Sequence, residues 1–135
     1  MASTSDTEPH PDLLGMHYLA DFIGCPVEKI ATVAAIEGPF RDILARHGAT
    51  VLGHQSHQFQ PEGATVVVLL AESHASIHTW PEKGAACVDF FTCSSALQAE
   101  EALEELANCL GARTHRIRVV RREAAVEAIT LDADG

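Results

Sequence analysis

Lysine is nearly missing from this 135-residue chain, where only Lys29 and Lys83 occur. The first lies early in a predicted helix beside Glu28 and the second in a predicted turn. A cofactor held as a lysine Schiff base, as pyridoxal phosphate is, finds no phosphate cradle near either. Positive charge is short altogether, with 9 Lys and Arg against 19 Asp and Glu and a formal net charge of −10. Nucleic-acid phosphates are bound by clustered Lys and Arg, so no nucleic-acid partner is expected. The one basic cluster, Arg113, Arg116, Arg118, Arg121 and Arg122, alternates with Ile117, Val119 and Val120 and reads as the outer face of a strand. Cysteine pairs are lacking too. Cys25, Cys87, Cys93 and Cys109 form no CxxC, and no secretory apolar stretch precedes them. Free thiols in a reducing compartment, the cytoplasm by default, are expected. No apolar run reaches the roughly 20 residues of a membrane-spanning helix, so no membrane partner is expected.

The remainder reads as one compact domain. A hydrophobic content of 47% and a charged content of 21% are ordinary for a globular chain, and this length buries enough apolar surface for a single core. Residues 1–12 and 124–135 have little to bury and are expected to be loose tails around a domain at 13–123. Within it, residues 17–23 alternate like a strand and residues 27–46 have helical spacing. Gly38 and Pro39 interrupt that spacing, which predicts two shorter helices or a kink, the second helix starting near Pro39 and closing at Gly48. Residues 51–59, 65–71, 76–80 and 86–92 read as strands separated by QPEG and PEKG, an antiparallel meander. Ala96, Leu97, Leu103, Leu106 and Leu110 share a helix face opposite Glu100, Glu101, Glu104 and Glu105, with Ser95 as the expected N-cap. A last strand covers residues 114–120. The pattern predicts an α+β two-layer sandwich, with helices on one face of a mostly antiparallel sheet. The other sheet face or an edge, covered by no helix, is expected to serve a homodimer.

Reactive side chains concentrate between Leu69 and Cys93, in LLAESHASIHTWPEKGAACVDFFTC. Singly they say little. Ser73 alone reads as a strand-end hydroxyl, and Cys93 as a buried small hydrophobe, the class to which Cys87 and Cys109 are assigned. Glu82 beside Pro81 suits a solvated turn, and Phe59 and Trp80 suit core or rim positions. No metal is expected. In an extended segment His74 and His78 stand roughly 13 Å apart at about 3.3 Å per residue, too far to share one ion at about 2 Å. His54 and His57 have opposite parity and face opposite sides.

Read as a block, the same stretch resembles the self-processing S-adenosylmethionine decarboxylase family of bacteria and archaea. That family's core is ESH, two or three residues, IHTWPE, and an apolar strand ending in FTC. Glu72, Ser73, His74, Ile77, His78, Thr79, Trp80, Pro81, Glu82, Phe91, Thr92 and Cys93 match it without a gap. Weaker similarity extends to the first strand, GMHYLADFIGC, so that the resemblance covers residues 14 to about 122.

The resemblance implies a chain that cuts itself between Glu72 and Ser73 and turns Ser73 into a pyruvoyl group. That group is the electron sink which no side chain offers to the carbanion left when carbon dioxide departs. In the implied scheme the Ser73 hydroxyl attacks the Glu72 carbonyl to form an ester. Elimination then splits the chain, and the resulting dehydroalanine hydrolyses to pyruvoyl and ammonia. His78 is the candidate base. Thr65, where the family more often has serine, is the assisting hydroxyl. Cys93 matches the proton donor to the substrate α-carbon, a role open to a thiol because thiols are mostly protonated at neutral pH. Glu82 matches the residue expected on the ribose hydroxyls and Phe59 the aromatic stacked on adenine, with Trp80 grouped beside them as substrate-binding. The implied reaction is decarboxylation of S-adenosylmethionine to the aminopropyl donor of polyamine (spermidine) synthesis, in a homodimer whose partner completes each site. Met16, Ala85 and Ser94 depart from the family pattern. Arginine or ornithine therefore stand as alternative substrates on the same fold and cofactor, and an uncleaved regulatory relative as an alternative of another class.

Overall fold

A computed structural model describes residues 12–124. Residues 1–11 and 125–135, which make up most of both predicted tails, lie outside the described residues. At the two ends the Ala124 N–H donates to the Asp12 carbonyl at 2.7 Å. The elements are β1 (Leu13–Ile23), α1 (Val27–Ile30), α2 (Val33–Arg46), β2 (Val51–Gln58), β3 (Ala64–Leu70), β4 (Ser73–Trp80), β5 (Ala85–Thr92), α3 (Ala99–Cys109) and β6 (Thr114–Glu123). The strands form one sheet in the order β2-β3-β4-β5-β1-β6, and every neighbouring pair is antiparallel. This is the expected α+β sandwich, the predicted meander supplying β2 to β5. None of its helices is long and apolar enough to cross a membrane.

Alternation along each strand decides which face takes the helices. In β3, Ala64, Val66, Val68 and Leu70 are buried while Thr65, Val67 and Leu69 turn the other way. Against the buried face lie Ile36, Phe40, Ile43 and Leu44 of α2 and Ala102, Leu103, Leu106 and Ala107 of α3, at helical spacing. The other face carries no helix, and Leu69 on it remains 57% exposed. Phe40 is fully buried with its ring centroid 6.1 Å from that of Phe90 on β5. Phe40→Ala is expected to cost about 3–5 kcal/mol of folding free energy, read as a lower urea midpoint with unchanged slope.

The C-terminal end of α2 is tied to the middle of α3. Arg46 engages both carboxylate oxygens of Glu105, and His47 Nε2 lies 2.7 Å from Glu105 Oε1. Hydrogen bonds from Arg46 and then from His47 hold the Glu105 carboxyl down at about 2.

Three local expectations need correction. Pro39 lies inside α2, and the helical break falls earlier, at Ala31 and Thr32. There Thr32 Oγ1 accepts the Ala35 N–H at 3.1 Å and caps α2. The hydrogen bond that Pro39 removes costs about 3 kcal/mol. Burial of Ile36 and Phe40 on either side of it, worth about 1.5–3 kcal/mol each, outweighs that cost. Ser95 is not the N-cap of α3, which starts after Gln98 without a side-chain cap. Ser94 Oγ instead accepts the Ala96 N–H in the preceding loop at 3.0 Å. Strand β4 begins at Ser73 rather than Ser76, so the selected serine is the first residue of a strand. Gly48 does close α2. It has φ +105, and a Cβ there would sit 2.1 Å from the Ala96 carbonyl oxygen.

Candidate active site

The Glu72–Ser73 bond sits at the tight turn from β3 to β4. Ser73 pairs with Leu70 on one side and Thr92 on the other, which brings Cys93, the residue just after β5, beside Glu72. Ser73 has φ +155 and is the one non-glycine residue with positive φ among the described residues. A side chain in that region costs of order 1–3 kcal/mol, and the torsion is about the bond adjoining the Glu72–Ser73 peptide. Glu72 is held from both ends. Its carboxylate accepts the Thr50 N–H at 3.0 Å, a hydrogen bond that lowers its pKa from the ordinary value. Its carbonyl oxygen accepts the Cys93 N–H at 3.3 Å and the Cys93 thiol at 3.2 Å. Two donors on one carbonyl oxygen polarise the carbon and stand where a tetrahedral oxyanion would need them. Cys93 is exposed, not buried as the residue type alone suggests.

A second group gathers at the other end of β4. Thr65 and His78 are direct cross-strand partners, with Thr65 Oγ1 3.0 Å from His78 Nδ1. With Phe59, Glu62, Trp80 and Glu82 they line a cleft of about 310 Å³. The 3-10 turn Pro81–Lys83, closed by Gly84 at φ +62, carries Glu82 at its rim. Phe59 is braced edge-on by His57 at a centroid distance of 4.7 Å. Phe59 and Trp80 stay 47% and 40% exposed, leaving two aromatic faces open to a flat ligand. The selected residues thus fall into two sets, Glu72, Ser73 and Cys93 in one and Phe59, Thr65, His78, Trp80 and Glu82 in the other. Five residue steps along extended β4 separate Ser73 from His78, roughly 16 Å at about 3.3 Å per residue.

Sequence reasoning missed a third group on the open sheet face. His17 on β1 and His74 on β4 both register with Phe91 of β5, and Asp89 lies two residues along the same strand between them. His17 Nε2 is 2.8 Å from Asp89 Oδ2 and His74 Nε2 is 3.6 Å from the same oxygen. Ser76 Oγ donates to Asp89 Oδ1, and Arg122 Nη1 stands 3.3 Å from His17 Nδ1. Burial pushes the Asp89 pKa up, but hydrogen bonds from Ser76 and then from His17 outweigh it and leave Asp89 below its ordinary value. The signal available beforehand was an acid inside an otherwise apolar strand, CVDFF. The histidine pairs weighed for a metal do not meet, since His54 bonds Glu37 at 2.9 Å and His57 braces Phe59. His17, His74 and Asp89 do place one donor atom each within 4.8 Å of one another. Ser76 Oγ and His17 Nε2 engage the two Asp89 carboxylate oxygens, so the trio reads as a hydrogen-bonded cluster. Cys87, assigned to the interior, is exposed on this same face with its thiol 3.6 Å from Asp21, because its odd position in β5 points away from the helices.

The family model of S-adenosylmethionine decarboxylase matches residues 16–123. An S-adenosylmethionine decarboxylase proenzyme of Prochlorococcus marinus (strain MIT 9313) is 39% identical over 118 residues, which cover 87% of this chain and 94% of the relative. A proenzyme of the same description from Aquifex aeolicus is 46% identical over 91 residues, 67% of each chain. The crystal structure of the adenosylmethionine decarboxylase from Aquifex aeolicus superposes with a TM-score of 0.77 at 38% identity, covering 89% of this chain and 99% of that one.

Proposed function

The chain belongs to the S-adenosylmethionine decarboxylase family, and from that premise we propose that it is a carboxy-lyase which cuts itself between Glu72 and Ser73 and decarboxylates S-adenosylmethionine. The observation that carries the reading is the environment of one peptide group: a backbone torsion of φ +155 at Ser73, a hydroxyl on the residue that follows the carbonyl, and two Cys93 donors on the Glu72 oxygen. Attack by Ser73 Oγ on the Glu72 carbon places negative charge on that oxygen, and the Cys93 N–H and thiol stabilise it. The ester that follows loses Glu72 as a carboxylate by elimination, and hydrolysis of the residue left behind turns Ser73 into a pyruvoyl group. Met1 to Glu72 and Ser73 to Gly135 are then separate chains.

A pyruvoyl carbonyl supplies the electron sink for decarboxylation, and the residues around Ser73 suit it. Cys93 Sγ stands beside that position, where a thiol can give the substrate α-carbon the proton that replaces its carboxylate. Phe59 and Trp80 offer faces for an adenine ring, and Glu82 at the cleft rim offers a carboxylate for ribose hydroxyls. The product is the aminopropyl donor for spermidine synthesis. The free thiols and the absence of a long apolar helix among the described residues suit a cytoplasmic enzyme.

His78 on β4, the candidate base, and its cross-strand partner Thr65 on β3 stand too far from Ser73 to reach it within their own chain. They lie on the sheet face that no helix covers. A second copy packed against that face brings its own His78, Thr65 and cleft to the first copy's Ser73, so the working unit is a homodimer with composite sites. Of the three departures from the family pattern, Ser94 has a local explanation, because its hydroxyl and amide shape the turn after Cys93. Nothing in the fold explains Met16 or Ala85. Carbon dioxide release from S-adenosylmethionine, arginine and ornithine, each offered separately to processed protein, tests the substrate. Release from S-adenosylmethionine alone is expected, and release only from one of the amino acids would replace it.

A further inference from the structure

Self-cleavage needs a proton removed from Ser73 Oγ before anything else happens, and within one chain His78 is not placed to take it. His74 is. Its Nδ1 lies 3.4 Å from Ser73 Oγ, and its Nε2 lies 3.6 Å from Asp89 Oδ2. Serine hydroxyl, imidazole and carboxylate are therefore successive neighbours, contributed by adjoining residues of β4 and by β5. Resting on the self-cleavage reading above, we infer that His74 takes the Ser73 hydroxyl proton in the first step of processing, with Asp89 as the residue that positions it.

Three observations give the carboxylate that job. Asp89 Oδ1 is engaged by the Ser76 hydroxyl and Oδ2 by His17 Nε2, so the carboxylate cannot turn away. Arg122 beside His17 Nδ1 fixes which nitrogen of that ring faces the acid. An ionised Asp89 opposite His74 Nε2 selects the tautomer with hydrogen on Nε2, leaving the Nδ1 lone pair toward Ser73. The separations exceed the roughly 2.6–3.2 Å of a working relay by a few tenths of an ångström, as catalytic hydrogen bonds commonly do before the reacting complex forms.

The step balances without an outside reagent. The proton moves from Ser73 Oγ to His74 Nδ1 as the oxygen bonds the Glu72 carbon, whose π electrons move onto the oxygen held by Cys93. Collapse breaks the bond from that carbon to Ser73 N, and the proton on His74 passes to the departing nitrogen. The result is an ester and a free amine. His78 of a second copy is left for the later step, removal of the Ser73 α-proton during elimination.

Hydroxylamine separates the two steps, because it cleaves an ester already formed and leaves an ordinary peptide bond intact. In the full-length chain, His74→Ala is expected to slow hydroxylamine-dependent cleavage about 10²–10⁴-fold, the usual contribution of a positioned base. The side chain is 42% exposed, so added imidazole can enter and restore part of the rate, which it would not do for a folding defect. Asp89→Asn is expected to slow the same step and Asp89→Glu to recover some of it, at unchanged melting temperature. His78→Ala is expected to go on accumulating material that hydroxylamine splits. If His74→Ala forms ester at the wild-type rate, or if His78→Ala is the variant that forms none, His74 is not the first base although self-cleavage stands. If the wild-type chain yields neither fragments nor ester, the self-cleavage reading itself falls.

Discussion

Ser73→Ala is expected to give a single species of full-length mass after any period of incubation, whereas the wild-type chain resolves into residues 1–72 and a fragment starting at position 73 that resists Edman degradation. The loss should be complete, because in the proposed scheme the hydroxyl is both the attacking group and the source of the ketone. The substitution isolates chemistry from folding. Alanine keeps a Cβ, so the φ of +155 at position 73 remains as unfavourable as before, and the side chain is only partly buried. Its melting temperature should match that of unprocessed wild type. Cleavage at the same bond in the alanine variant would show that another nucleophile attacks Glu72. In Cys93→Ala, by contrast, the backbone N–H that touches the Glu72 oxygen at 3.3 Å is retained, so some cleavage should persist while decarboxylation falls.

The second large effect concerns the roughly 16 Å that extended β4 puts between Ser73 and His78. If the partner copy supplies His78, then Ser73→Ala and His78→Ala, each unable to complete processing alone, should complement when mixed copies are allowed to exchange. The mixed dimer holds one intact site, made from Ser73 of the His78→Ala chain and His78 of the Ser73→Ala chain. Only the His78→Ala chains should be cut, and mass spectrometry distinguishes the two chains by their substitutions. No fragment from a mixture in which exchange has been verified would mean that His78 acts within its own chain, and fragments from His78→Ala alone would mean that it does not act.

Much of the fold was legible because burial has a period. Alternation in β3 and β5 and the helical spacing of Ile36, Phe40, Ile43 and Leu44 placed the layers correctly. What sequence alone misjudged were local contests. Pro39 argued for a break, and tertiary burial of its neighbours overrode it. Ser95 had cap chemistry but lies four residues before α3 starts at Ala99. The site was legible as a list and not as a geometry. The motif named Ser73, His78 and Cys93 together, yet spacing along a strand cannot say whether residues meet across the sheet, within the chain or between chains. Asp89 and His17 escaped notice because their meeting depends on the register of β1 against β5, and Cys87 because parity within a strand outranks the usual habit of cysteine.

The strand order has one further consequence. A cut before Ser73 assigns β1, β2 and β3 to one product and β4, β5 and β6 to the other, but the sheet runs β2-β3-β4-β5-β1-β6. Strand β1 is wedged between two strands of the opposite product, with ten paired positions on β6 and eight on β5. The halves are interleaved like the fingers of clasped hands. Severing the backbone therefore relaxes one turn while both pieces stay locked in a shared sheet, and a protein that breaks its own chain need not fall apart.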